Sequence, residues 1–206
     1  MLKLTKLHTD SEYSLSQEEA TLHFEAENPS NSITKAELRE ISQQFAHGLR
    51  SHYGIGASGP YKDVVVVMAG GDILAPATFY GVIAAGGVFS PASPSFKPPE
   101  LARQIKQGMS NLIICTSDKK GTAIEAAKLS GVPLSRVLVL ESTGKRSLKS
   151  IEGNIDCRSN QRIAWRKIVD PQELKDSLIL LLYSSGTTGV PKGSTLLYQP
   201  SVLDRG

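Results

Sequence analysis

The chain has 206 residues, of which 40% are apolar and 21% are charged, and its formal net charge is +3. A chain of this size and composition can bury one hydrophobic core, which predicts one domain or most of one. Its apolar runs are shorter than the ~18 residues that span a bilayer, so the sequence predicts no membrane span. The basic residues between Lys145 and Lys167 have no interleaved aromatic side chain beyond Trp165, which favours a solvated loop over a nucleic-acid surface.

The first 31 residues are polar and predict an irregular N-terminus with one short strand at 21–24. A helix is predicted to follow, because Thr34 and Glu37 form the capping-box pattern that marks a helix start. Apolar residues then recur at three- and four-residue spacing from Leu38 to Leu49, which predicts one buried face. Gly54 marks the expected end of this helix.

Strand and helix patterns alternate from residue 33 to residue 140. Short apolar runs predict strands at 64–68, 88–89, 112–115 and 137–140. Helical segments are predicted between them, at 73–85, from 98 onward and at 122–129. This alternation predicts an α/β fold with a mainly parallel sheet and flanking helices.

Residues 142–172 show no clear hydrophobic period and predict a long polar connecting loop. Cys157 falls in this loop and Cys115 in a predicted strand. Neither the cysteines nor the four histidines have the spacing of a metal site, so we expect no metal ligands and two reduced thiols. Met1–Lys6 lacks an extended apolar segment, which predicts no signal peptide and, by default, a cytoplasmic protein.

The most informative segment follows the apolar run at 178–183. It contains glycines that allow positive φ, hydroxyl donors and one lysine, which together are suited to binding a polyphosphate. The run predicts a strand buried on both faces. The backbone N–H groups of the turn after it would then lie at the carboxyl end of a sheet, where ligands collect. The candidate binding residues are Ser184, Ser185, Gly186, Thr187, Thr188, Gly189, Val190, Pro191, Lys192 and Gly193.

The segment has two other interpretations, and the chain contains one further candidate loop. A Walker A loop would need Gly where Pro191 stands and Ser or Thr where Gly193 stands, so that pattern fails twice. An ordinary surface turn also uses Gly, Ser and Pro, but does not need the whole string through Lys192. The Gly70–Gly71 pair is a second candidate phosphate loop.

The string S-S-G-T-T-G-V-P-K-G resembles the signature loop of the adenylate-forming (AMP-binding) superfamily. The resemblance extends upstream to residues 33–38, 81–94 and 99–101, and covers about residues 20–195. It is strongest toward the branch of 4-coumarate–CoA ligases and acyl-CoA synthetases. The fold that it implies is the N-terminal part of an adenylate-forming enzyme's large domain. The resemblance also implies a packing role for the Gly70–Gly71 pair, which is favoured over phosphate binding.

The resemblance implies an ATP-dependent, AMP-forming ligase. In that family the loop binds the β- and γ-phosphates of ATP while a carboxylic acid is converted to an acyl-adenylate, and coenzyme A then displaces AMP. Mg²⁺ also takes part in the full-length family. By resemblance, Lys192 is the catalytic residue among the loop residues.

The sequence departs from the family after Gly193, since Tyr198 stands where a histidine is usual. It also predicts an incomplete domain over 1–206, apparently truncated after the phosphate-binding loop, with the C-terminal small domain absent. Activity of this chain is therefore left open. A catalytically inactive remnant and an interaction module that pairs with a separately encoded C-terminal half are the alternatives. A peroxisomal location would follow if a full-length form carried the C-terminal signal that some relatives have.

Overall fold

A computed structural model of the chain describes residues 17–59, 62–163, 170–184 and 192–197, with the backbone alone for 174–175, 184 and 192–197. The nine strands of this part are β1 (Thr21–Phe24), β2 (Ser32–Thr34), β3 (Val64–Met68), β4 (Val88–Pro91), β5 (Leu112–Thr116), β6 (Val137–Glu141), β7 (Ser147–Ser150), β8 (Leu178–Ser184) and β9 (Lys192–Leu197). Its five α-helices are α1 (Lys35–Tyr53), α2 (Ala75–Ala85), α3 (Pro98–Gln107), α4 (Lys120–Ser130) and α5 (Pro171–Asp176).

Seven strands form one sheet in the order β7-β6-β5-β3-β4-β8-β9. The five inner strands of this order, from β6 to β8, are mutually parallel. The two outermost strands, β7 and β9, pair antiparallel with their neighbours. The predicted α/β fold with a mainly parallel sheet and flanking helices is confirmed.

Helices cover both faces of the sheet, and the sheet separates the core into two layers. Alternate residues of β3 point to opposite faces, as the pleat of a strand requires. Val65 and Val67 belong to the layer that contains Phe45 of α1 and Val82 of α2. Val66 and Met68 belong to the other layer, with residues of α3 and α4 such as Leu101 and Ala126. Burial on both sides explains why β3 is apolar throughout.

Helix α1 begins and ends where its sequence signals predict. The Glu37 N–H donates to Thr34 Oγ1 at 3.2 Å, and the Thr34 N–H donates to Glu37 Oε2 at 2.9 Å, which completes the capping box. Gly54 follows the last helical residue with a left-handed φ of 70°, a conformation that glycine adopts without steric cost.

The N-terminal strand predicted at 21–24 is present as β1. It pairs antiparallel with β2, and β2 leads directly into α1. The rest of the irregular N-terminus predicted over 1–31 lies mostly outside the described residues, which begin at residue 17.

The segment 142–172, interpreted as a polar loop, contains a strand. β7 pairs antiparallel with β6, and Lys149 forms an isolated bridge with Asp156. The segment also contributes Leu148 and Cys157 to the core, both with 0% exposure. The residues of β7, Ser-Leu-Lys-Ser, contain no apolar run, so the sequence alone does not indicate a strand there. A short edge strand of this kind forms because its backbone pairs with a neighbouring strand.

Burial raises the pKa values of both thiols, Cys115 and Cys157, to about 12. Neither cysteine forms a disulfide. In the part of the chain that the structure describes, no helix combines the length and the apolar character needed to cross a membrane.

Candidate functional site

Strands β8 and β9 form an antiparallel hairpin that carries the Gly/Ser/Thr-rich segment. Tyr183 pairs with Gly193, and Ser184 pairs with Lys192 as the last pair before the hairpin connection. The structure thus places three of the predicted binding residues, Ser184, Lys192 and Gly193, by their backbone at the two ends of this connection. The other predicted residues lie outside the described residues: Ser185, Gly186, Thr187, Thr188, Gly189, Val190 and Pro191.

Strand β9 was not predicted from the sequence. Its residues, Lys-Gly-Ser-Thr-Leu-Leu, have no strong strand pattern at their start. They become a strand because β8 presents a free edge to them, and pairing satisfies the backbone groups of both segments. The consequence is that the two ends of the loop are held opposite each other.

The apolar run of β8 is half-buried. Each side chain from Leu178 to Tyr183 is of intermediate exposure, whereas Val65 to Met68 of β3 are buried. Leu180 packs against the core layer of α1 and α2 and stands beside Phe89 of β4. The sequence prediction of a strand buried on both faces is thus too strong: β8 lies one strand from the edge and is covered less than the central strands.

The hairpin connection leaves the sheet at the same edge as the loops after the other parallel strands. Because β8 is parallel to β4, its carboxyl end lies with those of β3, β4, β5 and β6. Loops at this edge carry many polar side chains. In an open parallel sheet, ligands usually bind outside the carboxyl ends of the strands. The structure places the predicted phosphate-binding segment at that edge by its two described ends.

Hydrogen bonds tie these polar loops to one another. Ser142 donates its hydroxyl to Asp72 Oδ2 at 2.7 Å, which joins the loop after β6 to the loop after β3. Ser117 donates to Glu141 Oε2 at 2.8 Å, and Thr143 Oγ1 donates to Glu141 Oε1 at 2.6 Å. The carboxyl-end edge is therefore a connected surface rather than a set of independent loops.

Two carboxylates of this surface, Asp72 and Glu141, have pKa values shifted in opposite directions. Burial raises the pKa of Asp72 above its ordinary value, although hydrogen bonds from Ser142 and from the Leu74 amide oppose that shift. Hydrogen bonds from Thr143 and Ser117 lower the pKa of Glu141. Desolvation therefore dominates at Asp72, and hydrogen bonding to the charged form dominates at Glu141.

The Gly70–Gly71 pair does not have the features of a phosphate loop. Asp72 Oδ1 accepts the Leu74 N–H at 2.7 Å, so a carboxylate already binds an amide at the start of α2. Packing, the role favoured from the sequence, does not explain the pair either. A Cβ on Gly71 would have no neighbour within 4 Å, and one on Gly70 would make an ordinary contact with Pro94. Gly70 is instead required for its left-handed φ of 49°.

A pocket of about 250 Å³ opens beside Asp72. Strand β1 forms one wall, and residues 71–73 with Pro76 form the other. Among the described residues, no three His, Cys, Asp or Glu side chains lie close enough together to hold a metal ion, so no residue is assigned to Mg²⁺.

Sequence reasoning missed two buried polar residues that link α3 to β8 through β4. Gln104 of α3 donates its Nε2 to Ser90 Oγ at 3.0 Å and to the Pro91 carbonyl at 3.1 Å. Ser90 in turn donates to the Leu181 carbonyl at 3.1 Å. Both residues could have been recognised in the sequence as polar residues at positions where the pattern is apolar. Ser90 interrupts the short strand β4, and Gln104 lies on the inner face of α3.

Comparison with known proteins extends this description. Residues 14–199 match the sequence model of the family described as AMP-binding enzyme. The chain is 42% identical over 206 residues to a protein of Emericella nidulans named "Putative acyl-coenzyme A synthetase", with 98% of this chain and 37% of the relative covered. It is 28% identical to the phenylacetyl-CoA ligase epaB of Aspergillus niger, with 84% of this chain and 32% of the relative covered. The chain spans about a third of the length of these relatives.

Solved structures share the fold. Apo MatB from Rhodopseudomonas palustris superimposes with a TM-score of 0.63 at 22% identity, over 94% of this chain and 34% of that chain. A benzoate CoA ligase from Burkholderia xenovorans gives a TM-score of 0.65 at 18% identity, over 88% of this chain and 32% of that chain. The sheet is thus that of the N-terminal part of these enzymes. The family match over residues 14–199 and the 42% identity together show that the chain belongs to the AMP-binding enzyme family.

Proposed function

We propose that the segment from Ser184 to Gly193 binds the β- and γ-phosphates of ATP. This binding would serve the AMP-forming activation of a carboxylic acid to an acyl-adenylate and then to a coenzyme A thioester. The proposal draws on the family match and on relatives named as acyl-CoA synthetase and phenylacetyl-CoA ligase.

The pairing of Ser184 with Lys192 carries the proposal. This pair closes the β8–β9 hairpin at the edge where the parallel strands end, so both ends of the segment are held next to each other. Backbone N–H groups and hydroxyls between them would converge on one anion, and the Lys192 ammonium would add a mobile donor. Fixed donors of this kind stabilise charge that develops on phosphate oxygens.

The chemistry assigns a defined role to these donors. A carboxylate oxygen of the acid attacks the α-phosphorus, the bond from that phosphorus to the bridging oxygen of the β-phosphate breaks, and pyrophosphate leaves. The loop residues would bind the leaving pyrophosphate, and Lys192 would neutralise part of its charge. The thiol of coenzyme A then attacks the acyl carbonyl and releases AMP.

We also propose that residues 1–206 are one part of a larger adenylation domain. A second candidate function is a non-catalytic module that keeps the phosphate-binding loop and pairs with a separate polypeptide. The partial exposure of every side chain from Leu178 to Tyr183 leaves apolar strand faces for a further segment to cover, whether that segment belongs to the same polypeptide or to a separate one.

Exchange of labelled pyrophosphate into ATP tests the ligase proposal. The 206-residue chain would be assayed with a panel of aromatic, fatty and small branched carboxylic acids. Lys192→Ala is expected to lower the exchange rate by about 10- to 100-fold, because it removes a charged donor to the leaving group. Lys128→Ala on the exposed side of α4 is the matched control and should have no effect.

Equilibrium dialysis with ATP separates the two candidates. ATP binding that Lys192→Ala weakens, without pyrophosphate exchange for any acid, would favour the non-catalytic module. Equal ATP binding by the parent chain and by Lys192→Ala would contradict both candidates, since each requires the loop to bind phosphate.

A further inference from the structure

A chain of buried hydrogen bonds connects helix α3 to strand β8. Ser90 Oγ accepts from Gln104 Nε2 and donates to the Leu181 carbonyl, so its hydroxyl has a partner on each side. Ser90 is 0% exposed and Gln104 is 4% exposed. Because buried polar groups are costly to leave unpaired, these bonds favour one arrangement of the two elements over its alternatives.

Strand β8 depends on β4 for its attachment to the parallel sheet. In the described part of the chain β8 has two strand neighbours, and the second, β9, belongs to its own hairpin. The register of β4 with β8 rests on the pair Phe89 and Leu180. The Ser90 hydroxyl bonds to the next residue of β8, Leu181, and thus adds a side-chain contact to a short backbone pairing.

The end of α3 also approaches β8 closely. A Cβ on Gly108 would lie 3.1 Å from Tyr183 Oη and 3.3 Å from Leu181 Cδ2, so the glycine allows this approach. Gln104 and Gly108 are four residues apart and so lie on the same side of the helix, toward β8. Helix α3 is therefore linked to β8 through Ser90, and its carboxyl end approaches β8 directly at Gly108.

The register of β8 decides where the hairpin connection begins. A slip of one residue along β4 would move the backbone of Ser184 by about 3.3 Å. A displacement of even about 1 Å is large for groups that must meet a phosphate. Residues that prevent such a slip would therefore act on phosphate binding without touching the nucleotide.

We propose that Ser90 and Gln104 are positioning residues that set the register of β8 against β4 and thereby fix the backbone position of Ser184, where the segment proposed to bind phosphate begins. The link to phosphate binding rests on the proposed function. The role in setting the register of β8 rests on the contacts of Ser90 and Gln104 alone.

Two measurements on the 206-residue chain test the proposal. The first is hydrogen–deuterium exchange of the amides at 178–184, compared with those at 112–116 in β5. The second is the dissociation constant for ATP. Ser90→Ala and Gln104→Met remove the hydroxyl and the amide donor in turn, and the double variant reports whether the two act as one unit.

Ser110→Ala is the matched control. Ser110 is a buried serine, 6% exposed, whose hydroxyl donates to the carbonyls of Val64 at 2.8 Å and Leu112 at 2.9 Å. Ser110→Ala removes the hydrogen bonds of a buried serine hydroxyl at β3 and β5 and leaves the contacts of β8 unchanged. A general loss of stability would affect the control and the test variants alike.

We expect Ser90→Ala and Gln104→Met each to accelerate exchange at 178–184 by at least about fivefold relative to 112–116, the factor that one lost hydrogen bond represents. ATP affinity should fall by a similar factor, and the double variant should lose less than the product of the two single losses. Ser110→Ala should accelerate exchange at 112–116 instead, with ATP affinity unchanged.

Unchanged exchange at 178–184 in both test variants, or equal acceleration there in Ser110→Ala, would overturn the positioning role. Faster exchange with unchanged Lys192-dependent ATP affinity would overturn the link to the phosphate loop. If Lys192→Ala and the parent chain bind ATP equally, the proposed function fails, and the exchange measurement alone then supports or overturns the register role.

Discussion

At the scale of single residues, the carboxyl-end edge of the sheet contains two carboxylates in opposite electrostatic situations. Asp72 is desolvated, which raises its pKa, so the folded state binds its proton more tightly than the unfolded state does. Its charge therefore costs stability as the pH rises from the unfolded pKa through the raised folded pKa. Hydrogen bonds lower the pKa of Glu141, so its contribution is present above the unfolded pKa and is lost as the pH falls to the folded pKa.

Asp72→Asn and Glu141→Gln should therefore change stability with opposite signs. Asn has no charge to desolvate and keeps an acceptor for the Leu74 N–H, so at pH 7 we expect a gain of less than about 1 kcal/mol. Gln loses the charge that Thr143 and Ser117 stabilise, so at pH 7 we expect a loss of less than about 1 kcal/mol. Urea denaturation between pH 3 and pH 8 measures both effects. Each should shrink toward low pH, and a common sign for the two variants would contradict this account.

At the scale of elements, helix α1 contains a glycine whose role is set by a distant segment. Gly48 lies inside the helix, where glycine is normally unfavourable. A Cβ at this position would overlap the Cα and the carbonyl oxygen of Cys157. Gly48 therefore allows the segment after β7 to pack directly on α1, which explains how Cys157 becomes buried.

Two glycine-to-alanine substitutions should consequently have opposite effects on thermal unfolding. Gly48→Ala is expected to destabilise the chain by about 2 kcal/mol, because the overlap with the backbone of Cys157 outweighs the gain in helix propensity. Gly121→Ala is the matched helical control in α4, where a Cβ would meet nothing within 4 Å. It should stabilise the chain by about 0.5–1 kcal/mol. Stabilisation by both substitutions would show that the close approach is not maintained in solution.

At the scale of the whole molecule, the sheet is covered unevenly. Its centre, at β3 and β5, is enclosed by helices on both faces, and β8 is covered less, since its side chains from Leu178 to Tyr183 are of intermediate exposure. Partly exposed apolar residues in adjacent positions of a strand promote association, unlike single apolar residues scattered on a surface. Leu129 of α4, 48% exposed, is an example of such a single residue.

The 206-residue chain on its own should therefore associate as its concentration rises. Sedimentation velocity is expected to show larger species whose share falls in Ile179→Thr, which keeps a β-branched side chain and reduces its apolar area. Leu129→Gln, the control on α4, should leave the distribution unchanged. A single monomeric species of the parent chain at every concentration would contradict this expectation.

Much of the fold could be predicted from local patterns. The capping box at Thr34 and the glycine at position 54 define α1, and the runs of β3, β5 and β6 define the central strands, because each signal depends on neighbouring residues alone. The Ser184–Gly193 segment could be predicted from the string of residue types that phosphate binding needs. The structure describes Ser184, Lys192 and Gly193 of this segment by their backbone alone, and its role in phosphate binding stays a prediction.

The remaining features depended on contacts between residues far apart in the chain. Strands β7 and β9 exist because the neighbouring strands offer them an edge, and their own residues show little strand pattern. Cys157 is buried because Gly48 makes room for it, and Ser90 bonds to Leu181 because β4 and β8 are adjacent in the sheet. The sequence by itself determined the α/β class, the central strands and the family loop, since these follow from local propensity, periodicity and residue chemistry. Only the tertiary structure decided which segments pair at the edges and which polar groups attach β8 to the sheet, because hydrogen-bond pairing and close packing depend on distance in space rather than in sequence.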